Sequence, residues 1–272
     1  MSEEYHKAVT RMVTSESLKE ALKSVGLGPN QIVEVHSSMK PFGYVVGGAR
    51  TVVDALMDLV GEGGTLLMPS QTTDNSDPSG WRYPPLSPEL WDEMRESMPA
   101  YDPECSDLNG MGSVVENFRH RSGTVCSCHP SLSYTAWGRY AKLLCNRQSL
   151  HFPLAEESPA ARLYELKGSV LLLGAGFESC TCMHLAEYRT ECRPIITESA
   201  CVMEDGKKTW KKYLNLDIDS EVFRNVRARL DQKGLIRSVN LSGGVIQMFP
   251  AVAAIDEAAA YLDRNSVYNL YR

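Results

Sequence analysis

The sequence contains no run of about 18 or more apolar residues, and its opening residues, MSEEYHKAVTRM, lack the apolar core of a secretory signal. We therefore expect neither a membrane protein nor a membrane partner, and we expect the cytoplasm as the compartment. Basic residues are also scarce, because 28 Lys and Arg stand against 34 Asp and Glu, and the net charge is −6 without a basic stripe. Nucleic acid is therefore not an expected partner.

Cysteine is too sparse for a disulfide scaffold, with eight residues in a chain of 272. We expect these thiols to be reduced and mostly buried. Two pairs nevertheless lie close to a histidine, and the soft ligands that they provide are Cys126, Cys128 and His129 in CSCH and Cys180, Cys182 and His184 in CTCMH. We expect no metal, because zinc-binding pairs are usually separated by about two to four residues and these are separated by one, and a zinc hydrolase site is the alternative.

The pattern of apolar segments predicts an α/β fold. A chain of 272 residues with 43% hydrophobic residues can bury a full core as one domain, which we predict over residues 1–272 with residues 1–14 flexible. Strand-like and helical segments alternate, which predicts a mixed, largely parallel central sheet flanked by helices.

Residues 32–60, IVEVHSSMKPFGYVVGGARTVVDALMDLV, are the most informative stretch. Apolar alternation predicts a buried strand at the start, helical spacing predicts a helix at the end, and a polar loop with glycines joins them. Free backbone N–H groups and the positive end of the helix dipole would converge there and favour an anion such as a phosphate. The loop matches neither GxGxxG nor GxxxxGK[ST], so an ordinary turn with Gly for positive φ and Ser for capping is an equally good interpretation.

A second predicted strand, TLLMP, makes this stretch a βαβ unit with parallel strands. Ligands bind outside the carboxyl ends of such strands, so Ser37 and Ser38 should face the residues that follow the second strand, Ser70, Gln71 and Thr72.

A later apolar strand, SVLLLGAGF, leads into ESCTCMHLAEYRT, where His184 falls in the first turn of a predicted helix. The end of an interior parallel strand is a place for chemistry. From its position alone, however, His184 is slightly better explained as a core histidine held by hydrogen bonds.

Three motifs together resemble the aminoglycoside 3-N-acetyltransferase family: VHSSMKPFGYVVGGARTVVDAL, MPSQT followed by SDPSGW, and LLLGAGFESCTCMHLAEYRT. The likeness runs from about Glu20 to about Leu241, and NGMGSVVENFR, HPSLSYTAWG and EESPAARLYEL come in the family's order. The resemblance implies transfer of an acetyl group from acetyl-coenzyme A to the 3-amino group of a deoxystreptamine aminoglycoside, and hence antibiotic resistance. It also implies a fold unlike that of the common small GNAT acetyltransferases. Because members of the family can act on other antibiotics, another amine substrate stays open.

The resemblance assigns the opening loop to the pantetheine arm and phosphates of coenzyme A. The residues that it places at the cofactor are His36, Ser37, Ser38, Gly43, Val45, Gly47, Gly48, Thr51, Ser113, Phe118 and Arg119. Ser113 also lies near the start of a predicted helix, which suits an anion, and Arg119 is a candidate for a phosphate. His36 would lie beside the thioester, where it could assist the reaction or only pack.

An ammonium must lose a proton before it can attack a thioester, so the reaction needs a general base. Histidine suits this task, with an unperturbed pKa of roughly 6.5, and the resemblance points to His184. We expect Glu157 to orient its ring, with Glu187 as the alternative. Thr72 and backbone amides near Ser37 could stabilise the oxyanion, although Thr72 could equally cap a turn.

The long segment 71–110 is rich in Pro, Asp and Ser, contains one short helical stretch at Pro88–Ser97, and is expected to be functional. Candidate partners for the substrate ammonium groups are Asp74, Asp77, Asp102, Glu187, Asp217 and Asp219. Each of these could instead be a solvated surface acid. Two further alternatives remain open, a pure binding module and an acyl-enzyme formed on Cys180 or Cys182. The oligomeric state is not predicted.

Overall fold

The computed structural model describes residues 9–72, 74–82, 84–108 and 110–265. Its strands are β1 (Met12–Val13), β2 (Ile32–Ser37), β3 (Tyr44–Val45), β4 (Thr65–Pro69), β5 (Val125–Cys126), β6 (Tyr134–Gly138), β7 (Ser169–Leu173), β8 (Ile195–Glu204), β9 (Lys207–Leu216), β10 (Arg237–Leu241) and β11 (Gly244–Pro250). Its helices are α1 (Ser15–Ser24), α2 (Gly48–Val60), α3 (Trp91–Ser97), α4 (Ser113–Arg119), α5 (Ala141–Leu144), α6 (Pro159–Glu165), α7 (His184–Tyr188), α8 (Arg224–Gln232) and α9 (Ala251–Arg264). None of the helices in these ranges is long and apolar enough to span a bilayer.

The central sheet has the strand order β10-β11-β7-β2-β4-β6-β5. Only β7, β2 and β4 pair in parallel, and each outer pair is antiparallel. The mixed α/β sheet and the βαβ unit are thus confirmed, but parallel pairing is confined to the centre rather than prevailing across the sheet. A tight turn at Ser242 and Gly243, both with positive φ, forces β10 and β11 into a hairpin.

Helices cover both faces of this sheet. Along β7, Val170 and Leu172 point into one apolar cluster, and Leu171 and Leu173 point into the other. The first cluster packs under α5 to α9, and the second packs under α1, α2 and α4. Because β2, β4 and β7 are buried between two helical layers, their carboxyl ends are the natural place for a ligand.

The N-terminal segment is described from residue 9 onward, and residues 1–8 lie outside the described residues. Met12–Val13 pair with Tyr44–Val45, and Thr14 caps α1 by accepting a hydrogen bond from the Ser17 N–H at 3.2 Å. The flexibility predicted for residues 1–14 stays a prediction. The cap satisfies a backbone donor that the first turn of the helix would otherwise leave unpaired.

The predicted short helix within segment 71–110 is confirmed as α3, preceded by a 3₁₀ turn at Pro88–Leu90. The buried side chain of Asn75 links the segment to the β8–β9 hairpin by hydrogen bonds. Its amide nitrogen donates to the carbonyl of Cys201 at 3.1 Å, and its oxygen accepts from the Cys201 N–H at 3.0 Å. The hairpin and the segment therefore form one unit at the side of the sheet.

Candidate active site

A cleft of about 770 Å³ lies at the carboxyl ends of the three parallel strands. His36–Ser38 reach it at the end of β2, Gln71 after β4 and Gly174–Gly176 after β7. Ser113 at the start of α4 and His184 at the start of α7 also line it. The sequence prediction that loops after neighbouring strands converge is thus confirmed for the loops after β2 and β4.

Close backbone contact shapes the floor of the cleft. The Ser38 N–H donates to the carbonyl of Leu173 at 2.8 Å, which continues the β2–β7 pairing into the loops. Gly174 has a φ of 68°, and a Cβ atom there would lie 2.4 Å from the Ser38 carbonyl oxygen. Only glycine fits at this position. The close contact between the backbones of Ser38 and Gly174 presents Ser37 and Ser38 to the cleft.

His184 forms a short contact with a buried carboxylate on the same helix. Its Nδ1 lies 2.5 Å from Oε2 of Glu187, and the Glu187 side chain is fully buried. The edge of the His184 ring also packs against Phe223, with centroids 4.9 Å apart. Nε2 has no hydrogen-bond partner within the described ranges, and the residue lines the cleft. With Nδ1–H donating to Glu187, the ring of His184 directs Nε2 toward the cleft.

The second oxygen of Glu187 is also satisfied. Oε1 accepts from Nε of Arg193 at 2.6 Å and from the Asp219 N–H at 3.0 Å. Burying a carboxylate is costly unless it is paired and hydrogen-bonded. Glu187 meets both conditions, so it can hold the ring of His184 in one orientation.

Glu187, rather than the predicted Glu157, therefore orients the histidine. A spacing of three residues places His184 and Glu187 on one face of α7. The Glu157 side chain is exposed just before the Ser158 cap of α6, where the Glu157 carbonyl accepts from the Ser149 N–H at 3.3 Å. The same finding corrects the alternative role of Glu187 as a substrate ligand, because its carboxylate is enclosed.

A second buried carboxylate, Glu34, lies behind the cleft and was missed by the sequence prediction. Its Oε2 is 3.2 Å from Nε2 of His36, which also lies 3.3 Å from the Thr181 backbone nitrogen. The signal was present in IVEVHS, where an acidic residue interrupts a buried strand. Potential ligand atoms of Glu34, His36 and Cys180 lie within 4.8 Å of one another, the one set of donors with metal-like spacing in the described part of the chain.

The two Cys-x-Cys pairs do not form the joint zinc site considered above. Cys126 and Cys128 bond to each other's backbone, and His129 accepts from the Ser131 and Leu132 N–H groups through Nδ1. Cys180 and Cys182 lie elsewhere, fully buried, with sulfur atoms 3.6 Å apart. Burial raises the pKa of both of these thiols, so neither is presented as a nucleophile.

The glycines predicted to bind the cofactor have clear backbone roles. Gly47 and Gly48 adopt φ values of 77° and 61° where α2 begins, and a Cβ atom on Gly47 would lie 2.3 Å from Oγ1 of Thr51. Gly43, with a φ of 74°, packs against the backbone of Arg11, and Val45 is buried in β3. These residues flank the cleft without lining it, so their contact with a cofactor stays a prediction.

Three predicted site residues have other contacts. Phe118 is fully buried in the core. The side chain of Arg119 is 8% exposed, donates to the Ser106 carbonyl at 2.8 Å and to Glu116 at 2.9 Å, and does not line the cleft, so its contact with a phosphate stays a prediction. The hydroxyl of Thr72 donates to the carbonyl of Pro130, which is 58 residues away in sequence. This is a tertiary contact rather than the turn cap considered above, and it leaves no hydroxyl proton for an oxyanion.

The acids predicted to bind substrate are mostly engaged in local structure. Asp77 forms two hydrogen bonds of 2.9 Å with Arg95, and this guanidinium lowers the pKa of Asp77 to about 2. Asp102 accepts from the Glu104 N–H at 2.8 Å, and Asp219 caps the turn before α8. Asp74 and Asp217 are exposed outside the cleft lining. None of these five predictions places a carboxylate in the cleft.

Two charged residues of the lining were not singled out from the sequence. Glu178 borders the cleft and pairs with Arg224 at 3.2 Å. Lys40 is exposed at the cleft and makes no ion pair with any residue that the structure describes. Lys40 is thus a cation available to an anionic ligand, beside the loop from which the sequence predicted phosphate binding.

The fold and the cleft together define an α/β enzyme in which a histidine, held by a buried carboxylate, faces the carboxyl edge of a sheet. The family model of aminoglycoside 3-N-acetyltransferases matches residues 35–263. The chain belongs to the aminoglycoside 3-N-acetyltransferase family.

Relatives of known sequence agree with this assignment. The SPbeta prophage-derived aminoglycoside N(3')-acetyltransferase-like protein YokD of Bacillus subtilis is 40% identical over 258 residues, which cover 94% of this chain and 95% of YokD. Aminoglycoside N(3)-acetyltransferase VIII of Streptomyces fradiae is 37% identical over 209 residues, which cover 75% of this chain and 72% of that enzyme.

Solved structures share the fold. The crystal structure of YokD superimposes with a TM-score of 0.91 at 39% identity, over 96% of this chain and 97% of YokD. The structure of AAC-IIIb in a binary complex with CoASH has a TM-score of 0.81 at 25% identity, over 94% of this chain and 98% of that one. The predicted acetyltransferase fold, distinct from the GNAT fold, is confirmed.

Proposed function

We propose that this protein transfers the acetyl group of acetyl-coenzyme A to the 3-amino group of a deoxystreptamine aminoglycoside, and thereby confers resistance. The observation that carries the proposal is the pair of His184 Nδ1 and Glu187 Oε2, 2.5 Å apart, with Nε2 open to the cleft. Nε2 then takes a proton from the substrate amine as its nitrogen attacks the thioester carbon. We place the protein in the cytoplasm, as one domain.

The cofactor half of the proposal rests on the other side of the cleft. Ser37, Ser38 and Ser113 line it, α2 starts nearby at Gly48, and Lys40 adds a free cation, which together suit a thioester carrier with phosphates. AAC-IIIb, a relative of the same fold, has been solved with CoASH bound. The chemistry is direct transfer in a ternary complex, because Cys180 and Cys182 are sealed in the core.

The experiment is a panel of aminoglycosides with acetyl-coenzyme A, followed by assignment of the acetylated nitrogen. His184→Gln should lower kcat by at least about 100-fold, while the Kd of coenzyme A changes by less than about twofold. His120→Gln is the matched control, since His120 is exposed and pairs with Glu116 on α4. Wild-type turnover by the His184 variant would show that another group is the base.

A different amine is the second candidate substrate. The observation that favours it is that Glu178, an acidic residue of the described cleft lining, already pairs with Arg224 and so offers little negative charge to a polycation. A polycationic aminoglycoside would have to displace that arginine or bind through the rim. Screening substrates with one amine beside the aminoglycosides separates the two candidates by kcat/KM.

A further inference from the structure

Buried polar atoms without a well-aligned hydrogen bond gather at one point behind the cleft. Four such side-chain atoms occur in the part of the chain that the structure describes, and three of them belong to Glu34 and Tyr134. These two side chains are neighbours, and both are 0% exposed. A buried carboxylate persists only beside a compensating charge or strong donors. The two oxygens of Glu34 therefore point to a partner other than a well-placed protein donor.

The side chains around Glu34 are of the types that bind zinc. Nε2 of His36 lies 3.2 Å from Oε2 of Glu34, and Cys180 completes a set of three whose ligand atoms lie within 4.8 Å of one another. Sγ of Cys182 is 3.6 Å from Sγ of Cys180, and Cys182 is also a neighbour of Glu34. All four residues are buried. Carboxylate oxygen, imidazole nitrogen and thiolate sulfur are the ligands that zinc takes in proteins.

Two of these distances have the length that a tetrahedral zinc ion requires. Two sulfur atoms, each about 2.3 Å from such an ion, lie about 3.8 Å apart, whereas a nitrogen and an oxygen lie about 3.3 Å apart. The Cys180–Cys182 distance of 3.6 Å and the His36–Glu34 distance of 3.2 Å match these two edges. The two edges would approach each other by about 1 Å on binding, which rotation of the cysteine side chains can supply.

The ligands would exchange protons and one hydrogen bond for the ion. Burial raises the pKa of Cys180 and Cys182, so both thiols keep their protons until a metal displaces them. Binding would therefore release two protons to solvent. It would also replace the hydrogen bond in which the Thr181 N–H donates to Nε2 of His36 at 3.3 Å. A metal–nitrogen bond takes the same lone pair.

We propose that Glu34, His36, Cys180 and Cys182 form a buried zinc site. Glu34 and His36 share one face of β2, and the two cysteines flank the start of the 3₁₀ turn Thr181–Met183, which leads into α7. Because protein ligands fill all four positions, the ion is structural and ties the central strand to the turn that carries His184. The sequence pointed to no metal because only the two Cys-x-Cys pairs were considered, whereas half of this site comes from a strand. The inference does not depend on the substrate.

The test is the zinc content of the full chain, expressed with zinc in the medium and purified without a chelator. The wild type should hold about one zinc per chain, and Cys180→Ser and Glu34→Gln should each hold less than about 0.2. Cys128→Ser is the matched control, because Cys128 is exposed and belongs to the other Cys-x-Cys pair. It should hold as much zinc as the wild type.

Replacement of zinc by Co²⁺ adds a measurement on the wild type alone. Tetrahedral Co²⁺ bound by thiolates absorbs visible light through d–d transitions and near-ultraviolet light through sulfur-to-metal charge transfer. The wild type should show both bands, and Cys182→Ser should lose about half of the charge-transfer absorbance, because one of two thiolates is gone. Removal of zinc by a chelator should lower the Tm of the wild type by about 5–10 °C and leave the Tm of Cys180→Ser unchanged.

Two results would overturn the inference. One is a wild-type protein that holds less than about 0.1 zinc per chain and shows no charge-transfer band when titrated with Co²⁺, which would mean that hydrogen bonds alone satisfy these side chains. The other is zinc retained equally by the wild type, Cys180→Ser and Glu34→Gln, which would place the ion elsewhere. Should these variants fail to fold, the Co²⁺ spectrum of the wild type decides.

Discussion

Replacing Glu187 with glutamine would test how much the orientation of the base contributes to catalysis, independently of the other residues of the site. In the native protein, Nδ1–H of His184 donates to Oε2 of Glu187 at 2.5 Å. A glutamine side chain has nearly the same shape, but it can turn its NH₂ group toward Nδ1. Nδ1 then becomes the acceptor, the proton moves to Nε2, and the cleft loses the lone pair that accepts the proton of the amine.

The size of the effect follows from these contacts. The wrong tautomer of a catalytic histidine lowers kcat by about 10²–10⁴-fold. Stability should also fall, because Arg193, 14% exposed, loses the nearer of its two charge partners, at 2.6 Å, and keeps Asp219 at 3.5 Å. Breaking a buried pair costs about 3–5 kcal/mol, and we expect the lower end because glutamine keeps one acceptor. At about 2–4 °C per kcal/mol, the Tm should fall by about 6–12 °C.

Steady-state kinetics at a temperature well below both Tm values measure the first effect, and thermal unfolding measures the second. Glu157→Gln is the matched control, because its side chain is exposed and remote from the contacts of His184. It should keep wild-type turnover and Tm. The reasoning fails if Glu187→Gln keeps kcat within about threefold of the wild type, or if Glu157→Gln loses turnover as severely as Glu187→Gln.

Further measurements address the cofactor cation and the thiols. Lys40→Gln should raise the KM for acetyl-coenzyme A about tenfold and weaken the dependence of that KM on salt. The KM for acetyl-pantetheine, which lacks the phosphates, should stay unchanged. An equal rise in KM for both acetyl donors would show that Lys40 does not bind the phosphates. Hydrogen bonding from Cys128 lowers the pKa of Cys126 to about 6, so alkylation at neutral pH followed by peptide mapping should modify Cys126 well before Cys180 and Cys182. Comparable labelling of Cys180 or Cys182 in the native protein would restore the acyl-enzyme alternative.

The elements of the fold were predictable where local pattern and burial agree. The apolar alternation of β2, the continuous apolar run of β7 and the helical spacing of α2 were all predicted from the sequence. Strand direction at the sheet edges was not predictable in the same way. Period-two alternation is the same for parallel and antiparallel pairing, so the direction depends on tertiary connections that the pattern does not contain.

The candidate site was likewise predictable from the sequence only in part. His184 was predicted through a family motif, and its partner was first sought in Glu157. Glu187, the alternative, makes the contact, because residues three apart on a helix share a face. The predicted acids lie outside the cleft lining for a physical reason: carboxylates in loops are used first to cap turns and pair with nearby arginines, as Asp102 and Asp77 do. Such local uses leave no signature in composition.

The two histidines of the cleft contact carboxylates that differ in one respect. Glu187 also has a cation, since Arg193 lies 2.6 Å from Oε1, and the Asp219 N–H donates to the same oxygen. Both of its oxygens are therefore engaged, and Oε2 can hold the ring of His184 in one orientation. Glu34 has no arginine or lysine partner among the described residues, and Nε2 of His36 lies 3.2 Å from its Oε2. A base that takes a proton from the attacking amine needs a ring held in place, and His184 meets that condition through contacts that His36 lacks.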